Sequence, residues 1–266
     1  IYKLNFSVRD GSNEIYSQFE EFSLANIPAG GTVSDRYGFQ LHIGHNRPYN
    51  TVLPLLEKSG ARLVRDELAW DYAESPVGVW HFDEERVAYW RELNRRGISL
   101  IFTLTYGSPV GLNGEWGSDE YAEKYGIWAA MMTRKFKELG LDFAIETYNE
   151  WNLSDTKTPE QYAKILKAAY EGVKSVDENI AVIGGDLSGI TLDKTKAFID
   201  ALDGKRYMDI FSIHLYDGGG GPELGITKRW TESLRELLDT YPEYKDVPLL
   251  MSEAGWSTRD GSGVSD

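Results

Sequence analysis

Apolar and polar positions follow two different rhythms along this chain. Over residues 1–36, "IYKLNFSV" alternates with a period of two, and "IYSQFEEFSLANIPAGG" reads as one or two further strands closed by a Pro-Gly-Gly turn. This predicts an antiparallel β segment. Two or three strands are marginal alone, so the segment is expected to pack on the main domain or to belong to a larger β module. From residue 37 short apolar, β-branched runs take over: "YGFQLHIG" (37–44), "ARLVRDEL" (61–68), "ISLIFTLTYG" (98–107), "LDFAIETYNEWN" (141–152), "NIAVIGGDL" (179–187), "MDIFSIHLY" (208–216) and "VPLLMSEAGWS" (247–257). Helical patterns lie between them. "DEERVAYWRELNRRG" has an acidic first turn and a Gly stop, and "TPEQYAKILKAAYEGVKSVD" has Thr158 as N-cap and Pro159 at the first helical position. Strand and helix in repeated alternation mean parallel pairing.

Seven such units fit a (β/α)8 barrel without its eighth strand, or a doubly wound open sheet. The barrel is favoured because polar and aromatic residues follow nearly every strand, whereas an open sheet gathers its chemistry at one switch point. The expected fold is an α/β protein, a (β/α)8 TIM barrel over residues 37–266 that lacks its eighth strand, preceded by the β segment over 1–36. After "SEAGWS" only a Gly/Ser/Asp-rich stretch follows, and the eighth unit is expected to have been cleaved, disordered or left out. The glycine cluster Gly218–Gly221 falls after the sixth strand. With no phosphate-loop spacing around it, it reads as a loop of the active-site face.

Composition narrows the partners. Hydrophobic residues make up 41% and charged residues 26% of the 266 positions, as in an ordinary globular protein with a substantial core. The formal net charge of -14 disfavours polyanions, so neither nucleic acid nor an anionic membrane is expected as a partner. No apolar run is long enough to span a membrane. Ile1 is not an initiator Met, which suggests a leader or upstream segment already removed and a secreted or periplasmic protein. Zero cysteines exclude disulfides, thiolate ligands and a Cys nucleophile. The oligomeric state is not legible.

In a parallel barrel, catalytic groups stand at the carboxyl ends of strands. Those ends carry His42 and His45, then Arg65, Asp66 and Glu67, then Tyr106, then Glu146, Asn149 and Glu150, then Asp186, then His214 and Tyr216, and last Glu253 and Trp256. Glu150 and Glu253 each end a strongly apolar strand, on the fourth and seventh units, across a narrow mouth. Paired carboxylates across a cleft are what glycosidic bond cleavage needs.

The pair "ETYNEWN" and "LLMSEAGWS" resembles clan A of the retaining glycoside hydrolases, most closely glycoside hydrolase family 39 with family 5 next. Arg65 and the "HLY" of His214 and Tyr216 extend the likeness. The resemblance implies that Glu150 is the acid/base and Glu253 the nucleophile, and that a β-linked oligosaccharide or polysaccharide is the substrate. It also implies an Arg near the nucleophile and a His and Tyr around the reacting sugar. No cofactor is implied. This chain departs at Trp151, where the family pattern often has Pro.

Further roles follow from charge and shape. Partial burial and the nearby Glu253 anion should raise the pKa of Glu150, while Arg65 and the Tyr216 hydroxyl keep Glu253 ionised. Asn149 is placed for a sugar hydroxyl. His42, Trp70, Tyr106, Trp116, Trp151 and Trp256 are further candidates for sugar contact, because pyranose faces stack on aromatic rings. Trp90, Trp128 and Trp230 fall in helical patterns and read as packing. Two other readings stay open: a carbohydrate-binding barrel without turnover, and a metal-dependent sugar isomerase built on Glu146, Asp186 and His214.

Overall fold

The structure is a computed structural model and describes residues 2–22, 34–41, 49–216 and 226–255. Its first element is a separate two-stranded antiparallel hairpin, β1 (Tyr2–Asp10) and β2 (Asn13–Phe22). Its turn contains Gly11 at a φ of 62°, a backbone setting that suits a residue without Cβ.

The main body is a seven-stranded sheet in the order β3 (Ser34–Leu41), β4 (Ala61–Ala69), β5 (Ser99–Thr105), β6 (Phe143–Thr147), β7 (Val182–Ser188), β8 (Ile210–Leu215) and β9 (Leu249–Ala254). Every pairing is parallel. Helices α1 (Tyr49–Ser59), α2 (Trp70–Ala73), α3 (Glu84–Arg95), α4 (Asp119–Glu138), α5 (Pro159–Val176), α6 (Leu192–Asp200) and α7 (Ile226–Asp239) fill the connections. Strand order equals chain order, which makes this, among the described residues, a TIM barrel lacking one strand, as the repeating pattern implies. β3 and β9 are the two edges of the opening.

Helix starts follow local chemistry. Asp83 caps α3 and Ser118 caps α4. Thr158 and Gln161 form a reciprocal capping box ahead of Pro159 in α5. α4 and α5 approach closely because neither has a side chain at the crossing. A Cβ on Gly172 would stand 2.2 Å from the Gly126 carbonyl oxygen.

The two faces of the strands hold different material. Phe102, Leu104, Ile145, Phe211 and Ile213 face the helices in one continuous buried apolar cluster. The alternate positions Arg65, Thr103, Glu146, Ser212 and His214 face the barrel interior and bond to one another or to the residues at its mouth. A barrel of this size has an interior just wide enough for side chains to fill, so polar groups there must pair among themselves.

Candidate active site

The strand ends on one face of the barrel are conformationally unusual. Tyr106 after β5, Tyr148 and Glu150 after β6, and Asp186 within β7 all have positive φ, at 26°, 73°, 45° and 48°. Bulky side chains seldom adopt this region, and its clustering at a site signals geometry held by its surroundings. At Glu150 the left-handed backbone leads straight into a short 3-10 turn, Trp151–Leu153.

Five of the predicted groups converge here. The Glu150 carboxylate is within hydrogen-bond distance of His214 Nδ1 at 3.0 Å, and the same nitrogen stands 3.6 Å from Glu253 Oε1. His214 is fully buried and its Nε2 has no hydrogen-bond partner among the described residues. A proton on Nδ1 lets the ring donate to Glu150. Glu253 accepts from Arg65 Nη1 at 2.6 Å and from the Tyr216 hydroxyl at 3.0 Å. Oxygens of Glu150 and Glu253 and a His214 nitrogen all lie within 4.8 Å of one another.

One guanidinium organises the rest. Besides Glu253, Arg65 donates to Glu146 through Nε, to Gln40 at 2.9 Å, and to Asn149 Oδ1 at 2.8 Å through Nη2. Asn149 then donates to the Tyr106 hydroxyl at 2.6 Å. A planar fork of five donors can serve several acceptors at once, which a lysine cannot do.

The charge states follow from these contacts. Burial works against the Arg65 cation, but the Glu146 and Glu253 carboxylates outweigh it and raise its pKa further. For Glu146, full burial pushes upward, yet Arg65, the neighbouring Asp186 and a hydrogen bond from Thr103 hold it below the usual carboxylate range. Asp186 goes the other way. Burial and the Glu146 charge push it well above its ordinary value, which favours its protonated form, and the Tyr162 hydroxyl contacts its Oδ2 at 3.0 Å. Burial and then Glu253 push the Tyr216 hydroxyl up to about 12, so it remains a donor.

Glu150 departs from the sequence expectation. Its pKa is lowered: the hydrogen bond with His214 comes first, burial opposes it, and the His214 charge and a Ser188 hydrogen bond add to the lowering. The expectation counted burial and Glu253 but missed the imidazole, because nothing in the sequence shows that His214 Nδ1 faces Glu150.

Two tryptophans are also corrected. Trp70 is 1% exposed, stacks on Trp128 at 4.9 Å and donates to Glu74. Trp151 is 0% exposed, stacks on Tyr162 at 4.8 Å and donates to the Gly185 carbonyl. Both are packing residues with no face left for a sugar. Trp116 is half-buried, edge-on to Tyr148 at 5.4 Å, with Lys157 Nζ 5.1 Å from its ring. Tyr106 and Tyr216 remain exposed. His42, His45, Trp256 and the cluster Gly218–Gly221 lie outside the described residues.

Sequence reasoning missed Thr103, Ser212 and Gln40 as interior partners. Thr103 and Ser212 carry a readable signal: Thr103 shares its strand phase with Ser99 and Thr105, and Ser212 shares its phase with His214, so polar groups repeat on the interior side. Glu150, His214 and Glu253 offer one nitrogen and two carboxylate oxygens that could hold a metal such as zinc. The Glu146, Asp186 and His214 group is equally compact. There, however, Glu146 already accepts from Arg65, Thr103 and Ser212, so a guanidinium occupies the place of a cation.

No protein-family model matches the chain, and no curated protein matches it by sequence. Solved structures do. A family 39 glycoside hydrolase from Bacteroides cellulosilyticus WH2 superposes with a TM-score of 0.71 at 20% identity, covering 97% of this chain and 56% of that one. A monomeric β-xylosidase from Caulobacter crescentus CB15 gives 0.62 at 15% identity, covering 84% and 52%. The family 39 enzyme from Xanthomonas axonopodis pv. citri gives 0.59 at 13% identity, covering 85% and 53%. The chain thus spans about half the length of these structures. At these identities the likeness establishes the fold: a parallel barrel that resembles those of clan A glycoside hydrolases.

Proposed function

We propose that the protein is a retaining glycoside hydrolase acting on a β-linked glycan, with Glu253 as nucleophile and Glu150 as acid/base. The observation that carries this reading is the approach of the two carboxylates to within 4.8 Å, with Arg65 and Tyr216 on one and His214 between them. Retention goes with carboxyl groups about 5–5.5 Å apart, and inversion with about 6.5–9.5 Å to leave room for a water. Oxygens of the two carboxylates within 4.8 Å of each other are compatible with the retaining arrangement.

In the first step a Glu253 oxygen attacks the anomeric carbon while the bond to the leaving oxygen breaks and takes the Glu150 proton. In the second, Glu150 removes a proton from water, the water oxygen bonds to the anomeric carbon and the Glu253 ester is released. Arg65 and Tyr216 donate to Glu253 and keep it aimed. The lowered pKa of Glu150 suits the base half. The acid half requires substrate to cover the mouth, because added desolvation strengthens the influence that already pushes Glu150 upward. Asn149, fixed by Arg65 and Tyr106, is positioned for a sugar hydroxyl. The overall negative charge suits a neutral glycan, and a secreted or periplasmic location fits such a substrate.

A panel of aryl β-glycosides tests this. Glu253→Gln and Glu150→Gln should each lower turnover by at least about 10²–10⁴-fold, and a 2-fluoro glycoside should label Glu253 covalently. If the parent cleaves no member, the barrel is a carbohydrate binder. If both variants keep the parent rate, these carboxylates do no chemistry.

A further inference from the structure

Beside the carboxylate pair, between the ends of β4 and β5, lies a pocket of about 300 Å³ that the mechanism does not use. This is the low end for small-molecule sites. The Tyr72 and Tyr106 side chains line it, with 51% and 45% of their surfaces exposed. Tyr106 joins it to the site, since its hydroxyl accepts from Asn149. Exposed aromatic rings on a concave wall suit the apolar face of a pyranose.

The charge on the wall is uneven. Arg86 contributes the lining cation, but it is 4% exposed and already committed to Asp66 Oδ2 at 3.2 Å and the Glu67 carbonyl at 2.5 Å. Glu67 and Asp71 are the lining carboxylates. Glu67 stands 3.8 Å from Arg65, a guanidinium it shares with Glu146 and Glu253. Asp71 folds over Gly107, where a Cβ would stand 2.2 Å from its Oδ1, so the missing side chain lets this carboxylate lie against the backbone. A further anion, Asp83, accepts from the Tyr72 hydroxyl at 3.2 Å. Among the described residues, the carboxylates Glu67 and Asp71 thus line the wall, with Asp83 beyond Tyr72, against the single lining guanidinium of Arg86. Lys157 stands apart at the Tyr148 hydroxyl, 2.7 Å away, and does not line the pocket.

We infer that this pocket is a sugar subsite selecting a pyranose that bears a free amino group, accepting a neutral ring less well and turning away a uronic acid. An ammonium group gains from the surplus of carboxylates, a hydroxyl-bearing ring gains only stacking and hydrogen bonds, and a carboxylate substituent meets like charge in a partly desolvated wall. The inference rests on the glycosidase reading for its substrate class, but the pocket and its charge stand without it.

Binding should be measured on the Glu253→Gln variant by calorimetry, so that turnover plays no part. The probes are matched β-linked trisaccharides of glucosamine, N-acetylglucosamine, glucose and glucuronic acid. Affinity is expected to fall in the order glucosamine, then glucose and N-acetylglucosamine, then glucuronic acid, with on the order of tenfold or more between the ends and a narrower spread at high salt. Asp71→Asn should compress that spread, and Tyr72→Ala should weaken all probes together. Glucuronide binding as tight as glucosaminide, an unchanged spread in Asp71→Asn, or no binding by any probe would overturn the inference. Binding in the expected order by a protein that cleaves nothing would uphold the subsite and defeat the hydrolase reading alone.

Discussion

The closed arc of the barrel and its open edges hold the two halves of the site in different ways. Along β5, β7 and β8 nearly every residue is buried, whereas β9 has none buried and β3 is exposed over Arg36–Phe39. A cavity of about 70 Å³ opens between these edges, lined by residues including Phe39, Gln40, Leu250 and Met251. Glu150 rides on the closed arc, held by a kinked backbone and a buried imidazole. Glu253 rides on an edge strand and is aimed by side chains reaching across from β4 and from the end of β8. Packing fixes a group whose strand is covered on both sides, while a group on an open strand depends on tethers.

The largest effect should come from cutting the main tether. Arg65→Met leaves Glu146 buried without its cation and frees Glu253 on its edge. Removing one partner of a buried ion pair costs about 3–5 kcal/mol, so chemical denaturation should show that loss together with near-complete loss of the proposed glycosidase activity. Arg65→Lys keeps the charge but not the fork, and should recover stability more than activity. An Arg65→Met protein as stable as the parent would show that the interior charges do not depend on this contact.

A smaller effect, on the arc side, concerns pH. Because His214 leads in lowering Glu150, the basic limb of kcat/KM, which reports loss of the acid proton in the free enzyme, should lie on the acid side. His214→Phe removes the donor and leaves burial as the main influence, so the limb should move to higher pH. A carboxyl-carbon NMR titration of Glu150 reads the same shift without requiring turnover. If neither moves, His214 does not set the state of Glu150.

What the sequence revealed followed the same division. The alternation of apolar runs and helical patterns carried the barrel, because burial of strands and helix faces is written in residue type and spacing. That Glu150, Glu253, Arg65, His214 and Tyr216 come together was legible because strand ends in such a barrel share one face. The direction of the Glu150 shift was not, since it depends on which imidazole nitrogen faces which oxygen across 64 positions of sequence. Trp70 and Trp151 misled for a related reason. Each follows a strand toward the open face, but α2 and the 3-10 turn fold them back into the helix layer, and residue order does not show which way a short turn points.

The smallest expected effect lies deepest in the arc. Asp186 is buried against Glu146, and burial together with that charge raises its pKa well above the ordinary value of about 4. A raised native pKa means the folded state binds more protons than the unfolded chain between the two values, so this group's contribution to stability is full below about pH 4 and declines as pH rises toward the native value. Asparagine has nearly the same shape, can donate to Glu146 through its amide and can accept from Tyr162 without taking up a proton. Asp186→Asn should therefore be no less stable than the parent at neutral pH, and urea denaturation from pH 5 to 9 should show a gain that grows until the native pKa is passed. It should leave the geometry of Arg65, and hence the activity, nearly unchanged. A variant that loses stability at pH 8, or whose advantage shrinks as the pH rises, would mean that Asp186 is ionised in the native barrel and that the interior holds one more negative charge than these contacts balance.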